Sequence, residues 1–261
     1  MILPIYVVDA FSNKVFGGNP AAVIPIESPL DESIMQAIAA ENNLSETAYI
    51  DISSAPFLIR WFTPTIEVDL CGHATLATAR VLFDFYLSPG KSEISFDSRS
   101  GGLKAFKKEA LIYLDFPTDN PKPVKENEEI TDGIGLAPLE IYKGRDDYLA
   151  VFSDENTIRD ISPSFEKISK LNSRGLIVSA PGDRVDFVSR CFFPQTGVNE
   201  DPVTGSAHTL LTPYWSKALG KEKLSAQQLS PRQGNLSCEL HGKRVLIGGE
   251  TAQYMKGEIS L

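Results

Sequence analysis

Arg60-Trp61-Phe62-Thr63-Pro64 and Arg190-Cys191-Phe192-Phe193-Pro194 carry an arginine, a phenylalanine and a proline at matching places, 130 residues apart. The likeness extends outward. Val68 matches Val198 at the same spacing. After a three-residue insertion, Gly72-His73-Ala74 aligns with Gly205-Ser206-Ala207, and Arg99-Ser100-Gly101 with Arg232-Gln233-Gly234, both 133 apart. Upstream, Ala22-Val23 matches Ala150-Val151 at a spacing of 128. An ordered series whose spacing drifts in small steps is what duplication followed by loop insertions leaves behind.

Each half reads in the same order. Two strands come first, Ile5–Val8 and Ala21–Pro25, or Glu140–Tyr142 and Tyr148–Phe152. An amphipathic helix follows, over 31–41 or 164–171, and then two strands, Thr47–Ile50 and Phe57–Phe62, or Leu176–Ser179 and Asp186–Phe193. A glycine loop leads into a second helix, Ala74–Tyr86 or Ala207–Leu219, and further strands complete the half. That second helix is apolar nearly all round, through Leu76, Ala77, Ala79, Val81, Leu82 and Phe83. Such a helix must be surrounded by protein. The expected fold class is α+β: two pseudo-symmetric domains, each a curved, mostly antiparallel sheet wrapped around a central helix. The expected boundaries are 1–117 and 118–249, with 250–261 returning to the first domain. The Pro- and Glu-rich stretch 117–129 is expected to be a linker.

Composition narrows the function classes. The chain has 261 residues, 42% hydrophobic and 23% charged, which suits packed domains and excludes a disordered or collagen-like chain. No run approaches the roughly 18 apolar residues of a membrane-spanning helix, and the start MILPIYVVDAF lacks the basic flank of a signal peptide. A net charge of −9 argues against nucleic acid or anionic membrane as partners. Cys71, Cys191 and Cys238 form no CxxC and read as free thiols of a reducing, cytoplasmic compartment. His73, His208 and His241 form no HxH or HxxxH pair, so no metal is expected.

The glycine loops carry the chemistry. A loop feeding a buried helix leaves unpaired N–H groups and a helix dipole that favour an anion. Here the arrangement occurs twice, around Gly72 and Ala74 and around Gly205 and Ala207, with His73 and Ser206 adding a donor each. Two domains facing each other across a cleft could grip one carboxylate. The plainer reading is two ordinary helix starts. Asp201, five residues before Ser206, could orient a donor or sit in a solvated turn. Glu46 lies at the edge of an apolar strand, where a carboxyl is costly unless paired or used in proton transfer; a surface or capping role is the alternative. Ser45 and Asn19 could be turn residues only.

Gly18-Asn19-Pro20-Ala21-Ala22-Val23, Leu44-Ser45-Glu46-Thr47-Ala48, Cys71-Gly72-His73-Ala74-Thr75 and Glu200-Asp201-Pro202-Val203-Thr204-Gly205-Ser206-Ala207-His208 resemble the phenazine biosynthesis isomerase (PhzF-like) family, over essentially the whole chain. The resemblance implies the diaminopimelate epimerase-like fold and a cofactor-independent isomerase acting on a small carboxylate. Glu46 matches the family's acid/base. His73, Asp201 and Ser206 match residues around the substrate, and Asn19, Ser45, Gly72, Ala74, Gly205 and Ala207 are expected to line the binding site. By family analogy a homodimer is expected. The related racemases use two opposed cysteines. Cys71 occupies the first of these places, but Thr204 occupies the second, and a hydroxyl cannot replace a thiolate. The alternatives are an amino-acid epimerase, with Glu46 opposed by Cys71 or His73, and a non-catalytic small-molecule binding protein.

Overall fold

The computed structural model describes residues 1–53 and 55–261. It divides into two compact units, residues 1–115 with 248–261, and residues 116–247. The first unit contains β1 (Ile2–Ala10), β2 (Asn19–Ile26), α1 (Glu32–Asn42), β3 (Glu46–Asp51), β4 (Phe57–Phe62), β5 (Glu67–Val68), α2 (Gly72–Phe85), β6 (Glu93–Asp97), β7 (Leu103–Lys108) and β8 (Leu111–Pro117). The second contains β9 (Lys122–Val124), α3 (Glu128–Ile134), β10 (Glu140–Lys143), β11 (Asp147–Val151), α4 (Glu155–Asp160), α5 (Phe165–Ile168), β12 (Gly175–Pro181), β13 (Phe187–Phe192), α6 (His208–Leu219), β14 (Lys223–Gln228), β15 (Gly234–His241) and β16 (Arg244–Gly249). The last strand, β17 (Thr251–Ser260), pairs antiparallel along β1.

Strand pairing repeats the sequence repeat. β1–β2 is antiparallel, β2–β3 parallel, β3–β4 antiparallel, β4–β6 parallel and β6–β7 antiparallel. In the second unit β10–β11, β11–β12, β12–β13, β13–β14 and β14–β15 follow in the same order of directions. The fold is α+β, a mixed sheet around a central helix in each unit.

The matched arginines explain why the motif recurs. Arg60 pairs in a fork with Glu67 (Nε–Oε1 2.7 Å), and its guanidinium lies 5.1 Å from the Phe62 ring centre. Arg190 forks Glu200 (Nε–Oε1 2.8 Å) and lies 5.1 Å over Phe192. A planar guanidinium can satisfy a carboxylate bidentately and stack at once. The turns also close alike, with Thr63 N–H to Ile66 O and Phe193 N–H to Val198 O. Val198 therefore matches Ile66 rather than Val68, and two of the three inserted residues lie in the turn after Pro194.

α2 is buried along its length from Gly72 to Leu82, apart from Arg80, and packs against β1, β2, β3 and β17. Its buried threonines are satisfied internally: Thr75 donates to Cys71 O (2.6 Å) and Thr78 to Ala74 O (2.7 Å). α1 covers the opposite side, with Met35, Ile38 and Ala39 against Ala22, Ile24 and Tyr49. With both faces covered, β2 reads as a continuous apolar run. α6 contains Pro213, which has no N–H for the Thr209 carbonyl; Asp119 N–H fills that place at 3.1 Å.

Three expectations are corrected. The counterpart of α1 is two short helices, α4 and α5, because Pro163 between them cannot continue a helix. The stretch expected to be a linker contributes β9, paired with β10, and runs into α3, whose Ile130 N–H is capped by the Asn127 side chain at 3.2 Å. α6 begins at His208 after a tight turn over 205–207, whereas α2 begins already at Gly72.

Leu76 is fully buried on α2. Leu76→Ala is expected to lower stability by about 2–5 kcal/mol, the usual cost of an unfilled core cavity. Urea denaturation with the wild type alongside is the check.

Candidate functional site

The turn between β1 and β2 places Asn19. Gly18 has φ +62°, and a Cβ there would lie 2.1 Å from Ala10 O, so only glycine fits. Asn19 is fully buried at the start of β2, and Glu46 opens β3, paired in register with Ala21. Ser45 immediately precedes it and is half-buried. His73 is the second residue of α2 and is buried. These elements bring three expected residues together in the first unit. His73 Nε2 lies 3.0 Å from Glu46 Oε2, and Asn19 Nδ2 lies 3.2 Å from His73 Nδ1. The amide is a donor, so a neutral ring carries its proton on Nε2, toward Glu46. Cys71 Sγ stands 3.6 Å from Nδ1.

The sequence leaves Glu46 either paired and used in proton transfer or on the surface. Its side chain is 17% exposed and has the imidazole as its neighbour. Burial works against charge on His73, but the neighbouring Cys71 and Glu46 outweigh it and carry its pKa well above the ordinary histidine value. A second proton on Nδ1 requires the Asn19 amide to turn its oxygen to the ring. Burial, with Glu46 adding to it, pushes the Cys71 thiol up to about 11. At neutral pH Cys71 is a thiol rather than a base.

Glu46, Cys71 and His73 are also the cluster whose ligand atoms lie within 4.8 Å of one another, near enough for a metal ion. Within it the ring turns Nε2 to Glu46 (3.0 Å) and Nδ1 to Cys71 (3.6 Å).

In the second unit Asp201 accepts from Thr204 Oγ1 at 2.5 Å. Gln228 braces this turn: its Nε2 donates to Asp201 O (2.7 Å), and its Oε1 accepts from Thr204 N–H (2.8 Å). The donor that Asp201 orients is thus Thr204. Ser206, half-buried, receives a hydrogen bond from Arg174 Nη1 at 3.2 Å. Arg174 in turn forks Asp147 through Nε (2.9 Å) and Nη2. Sequence reading missed Gln228, Arg174 and Asp147. The repeat itself could have pointed to two of them, since Asp147 opens β11 as Asn19 opens β2, and Arg174 immediately precedes β12.

Gly72 and Ala74 lie in the first turn of α2 and are buried, as are Gly205 and Ala207 in the turn before α6. Among the described residues nothing accepts from the N–H groups of Gly205, Ser206 and Ala207. His208 is structural. Its Nδ1 contacts Thr204 O at 2.8 Å, its ring tilts on Phe187, and burial pushes its pKa down to about 4.

The duplicated α+β unit is an epimerase-like fold. Consistent with that class, a hydroxyproline epimerase from Agrobacterium vitis superposes with a TM-score of 0.64 at 8% identity, over 100% of this chain and 93% of its own; this likeness is one of fold alone. The family model for phenazine biosynthesis-like protein (PhzC-PhzF) matches residues 8–257. The chain belongs to this family and is an isomerase. An uncharacterised isomerase of Pseudomonas aeruginosa is 48% identical over 261 residues, covering 100% of both chains. The human phenazine biosynthesis-like domain-containing protein is 40% identical over 288 residues, again with 100% of both chains covered. The crystal structure of a PhzF-family protein from Enterococcus faecalis superposes with a TM-score of 0.97 at 50% identity, over 100% of both chains.

His73 and His208 are expected to titrate on opposite sides of the usual histidine value of about 6.5. With its folded pKa raised, His73 stabilises the fold below about 6.5, and that contribution is lost as pH rises through its higher folded value. His208, lowered to about 4, contributes stability above the ordinary histidine value that is lost as pH falls through about 4. Ring carbon–proton NMR against pH is the check: His73 titrating above the usual histidine value, His208 near 4, and Glu46→Gln lowering only the former.

Proposed function

We propose that this isomerase moves a proton on a small cyclic or amino carboxylate without an organic or metal cofactor, with Glu46 as general acid/base. The observation that carries the reading is the 3.0 Å approach of Glu46 Oε2 to His73 Nε2. A carboxylate is a competent base toward an acidic C–H when it can be held in place and its charge balanced as the proton moves. His73 does both, its Nε2 standing 3.0 Å from Glu46 Oε2 before the transfer. The proton taken from carbon stays on Glu46. Glu46 then returns a proton at another position of the conjugated system. Asn19 keeps the ring oriented, and Ser45 sets the start of the strand that carries the base.

The binding half of the reading rests on donors. The first-turn N–H groups at Gly72–Ala74 and at Gly205–Ala207 are proposed to take the substrate carboxylate, with Ser206 and Asp201 contacting the substrate. A second copy of the chain is the proposed partner; nucleic acid and membrane are not, given the net charge of −9. No helix among the described residues is long and apolar enough to cross a membrane. The cytoplasm is the proposed compartment, on the three free cysteines.

The test is solvent exchange. Cyclic and amino carboxylates are incubated with the enzyme in deuterium oxide and followed by mass. A substrate should take up deuterium with a change in ultraviolet absorbance as its double bond moves; exchange with inversion and no absorbance change would mark an epimerase. Glu46→Gln should cut the exchange by about 10²–10⁴-fold, the usual worth of a positioned acid/base. Exchange at the wild-type rate in this variant would remove Glu46 from the mechanism.

A further inference from the structure

We propose that Arg174, clamped by Asp147, is a positioning residue that makes the Ser206 hydroxyl an obligate hydrogen-bond donor to an incoming carboxylate. The inference rests on Ser206 contacting substrate, as proposed above, and deepens it.

The geometry is that of a held fork. Arg174 Nε and Nη2 both go to Asp147, a buried carboxylate at the start of β11, with Nε to Oδ1 at 2.9 Å. The guanidinium stacks over the Phe193 ring, 5.0 Å from its centre. Gly175, next in the chain, lets that ring come close, since a Cβ there would meet Phe193 Cδ1 at 2.1 Å. Two of the guanidinium's edges are therefore fixed, and Nη1 is left to donate to Ser206 Oγ at 3.2 Å.

The consequence is in the inventory of protons. A guanidinium has donors and no acceptor, so Ser206 Oγ can only accept from it. The hydroxyl's single proton must then point elsewhere. Among the described residues none accepts it. The free N–H groups of Gly205, Ser206 and Ala207 lie on the same turn. Three amides and one hydroxyl proton ask for an acceptor-rich anion, and a carboxylate has the oxygens to take them. Without Arg174 the hydroxyl could rotate and accept instead.

The duplication makes Arg174 more than a surface cation. In the first unit, the starts of β2 and β3 and the residue after the glycine supply Asn19, Glu46 and His73. In the second, the start of β11, the residue before β12 and the residue after the glycine supply Asp147, Arg174 and Ser206. The same three places are filled by the set proposed to transfer a proton in one unit and by a donor set in the other.

Benzoate is the probe, as a simple cyclic carboxylate, followed by the amide NMR shifts of Gly205, Ser206 and Ala207. Ser206→Ala and Arg174→Met should each weaken benzoate binding about tenfold or more, the loss of a hydrogen bond to a charged group. The double variant should bind no more weakly than Ser206→Ala alone, and Arg174→Lys should recover part of the loss. A purely structural Arg174 would give losses that multiply. Losses that multiply, or wild-type affinity in Arg174→Met, would overturn this inference and leave the proposed function standing. Full affinity in Ser206→Ala, or no benzoate shift at these amides in the wild type, would overturn the carboxylate reading itself and this inference with it. If Arg174→Met does not fold, Asp147→Asn with Arg174→Met removes the unpaired carboxylate and takes its place in the cycle.

Discussion

A helix that is apolar on every side persists only inside a shell of strands, and that constraint organises each unit of this protein. α2 shows what the burial demands. Its buried threonines, Thr75 and Thr78, bond back one turn, and His73 finds its neighbours on β2 and β3. In α6 Thr212 likewise donates to His208 O, and Asp119 from outside the helix occupies the carbonyl that Pro213 leaves open. Once the body of such a helix is satisfied, its unspent donors lie in the first turn. Burying the helix therefore gathers hydrogen-bonding capacity at one end, where the glycine turn brings His73 or Ser206. The fold and the site are two results of one constraint.

Much of this was legible in the sequence because period and duplication are redundant signals. The two-residue alternation and apolar runs marked the strands, and the glycine turns with their apolar helices marked the centre of each half. The arginine motif was legible as a repeat, but its cause was not: only the coordinates show Arg60 and Arg190 each forking a glutamate while stacking on a phenylalanine. Glu200, adjacent to Asp201 in sequence, is thereby structural, and the two neighbouring acids have separate fates. Local breakers decided the misses. Pro163 splits a helix whose counterpart is continuous, and β9 is too short and too polar to register as a strand.

The site was legible where a residue type is rare and hidden where it is common. His73 is one of three histidines, and Glu46 stands before a buried run, so both drew notice. Arg174 and Asp147 are charged residues at strand ends, where solvated side chains are the rule. Their role depends on a contact 27 residues apart in sequence, which no local pattern encodes. Extending the repeat to the strand starts, rather than stopping at matching letters, is the reading that would have found them, since equivalent places hold different residue types.

That divergence bears on the chemistry. A racemase with opposed bases needs a proton acceptor on each half. Here Cys71 is held as a thiol, its pKa raised to about 11 by burial and by Glu46 beside it. Thr204, at the equivalent place, spends its hydroxyl proton on Asp201. Neither position supplies a base at neutral pH, and the duplicated pair is disarmed as a pair. What remains is a carboxylate with an imidazole neighbour in one unit, and Ser206 with the N–H groups beside it at the equivalent glycine turn of the other. A proton taken and given back by one group travels along one face of a substrate. Inversion of a stereocentre asks for delivery from the opposite face, so on the proposed role of Glu46 the loss of symmetry in these side chains goes with migration of a double bond rather than racemisation.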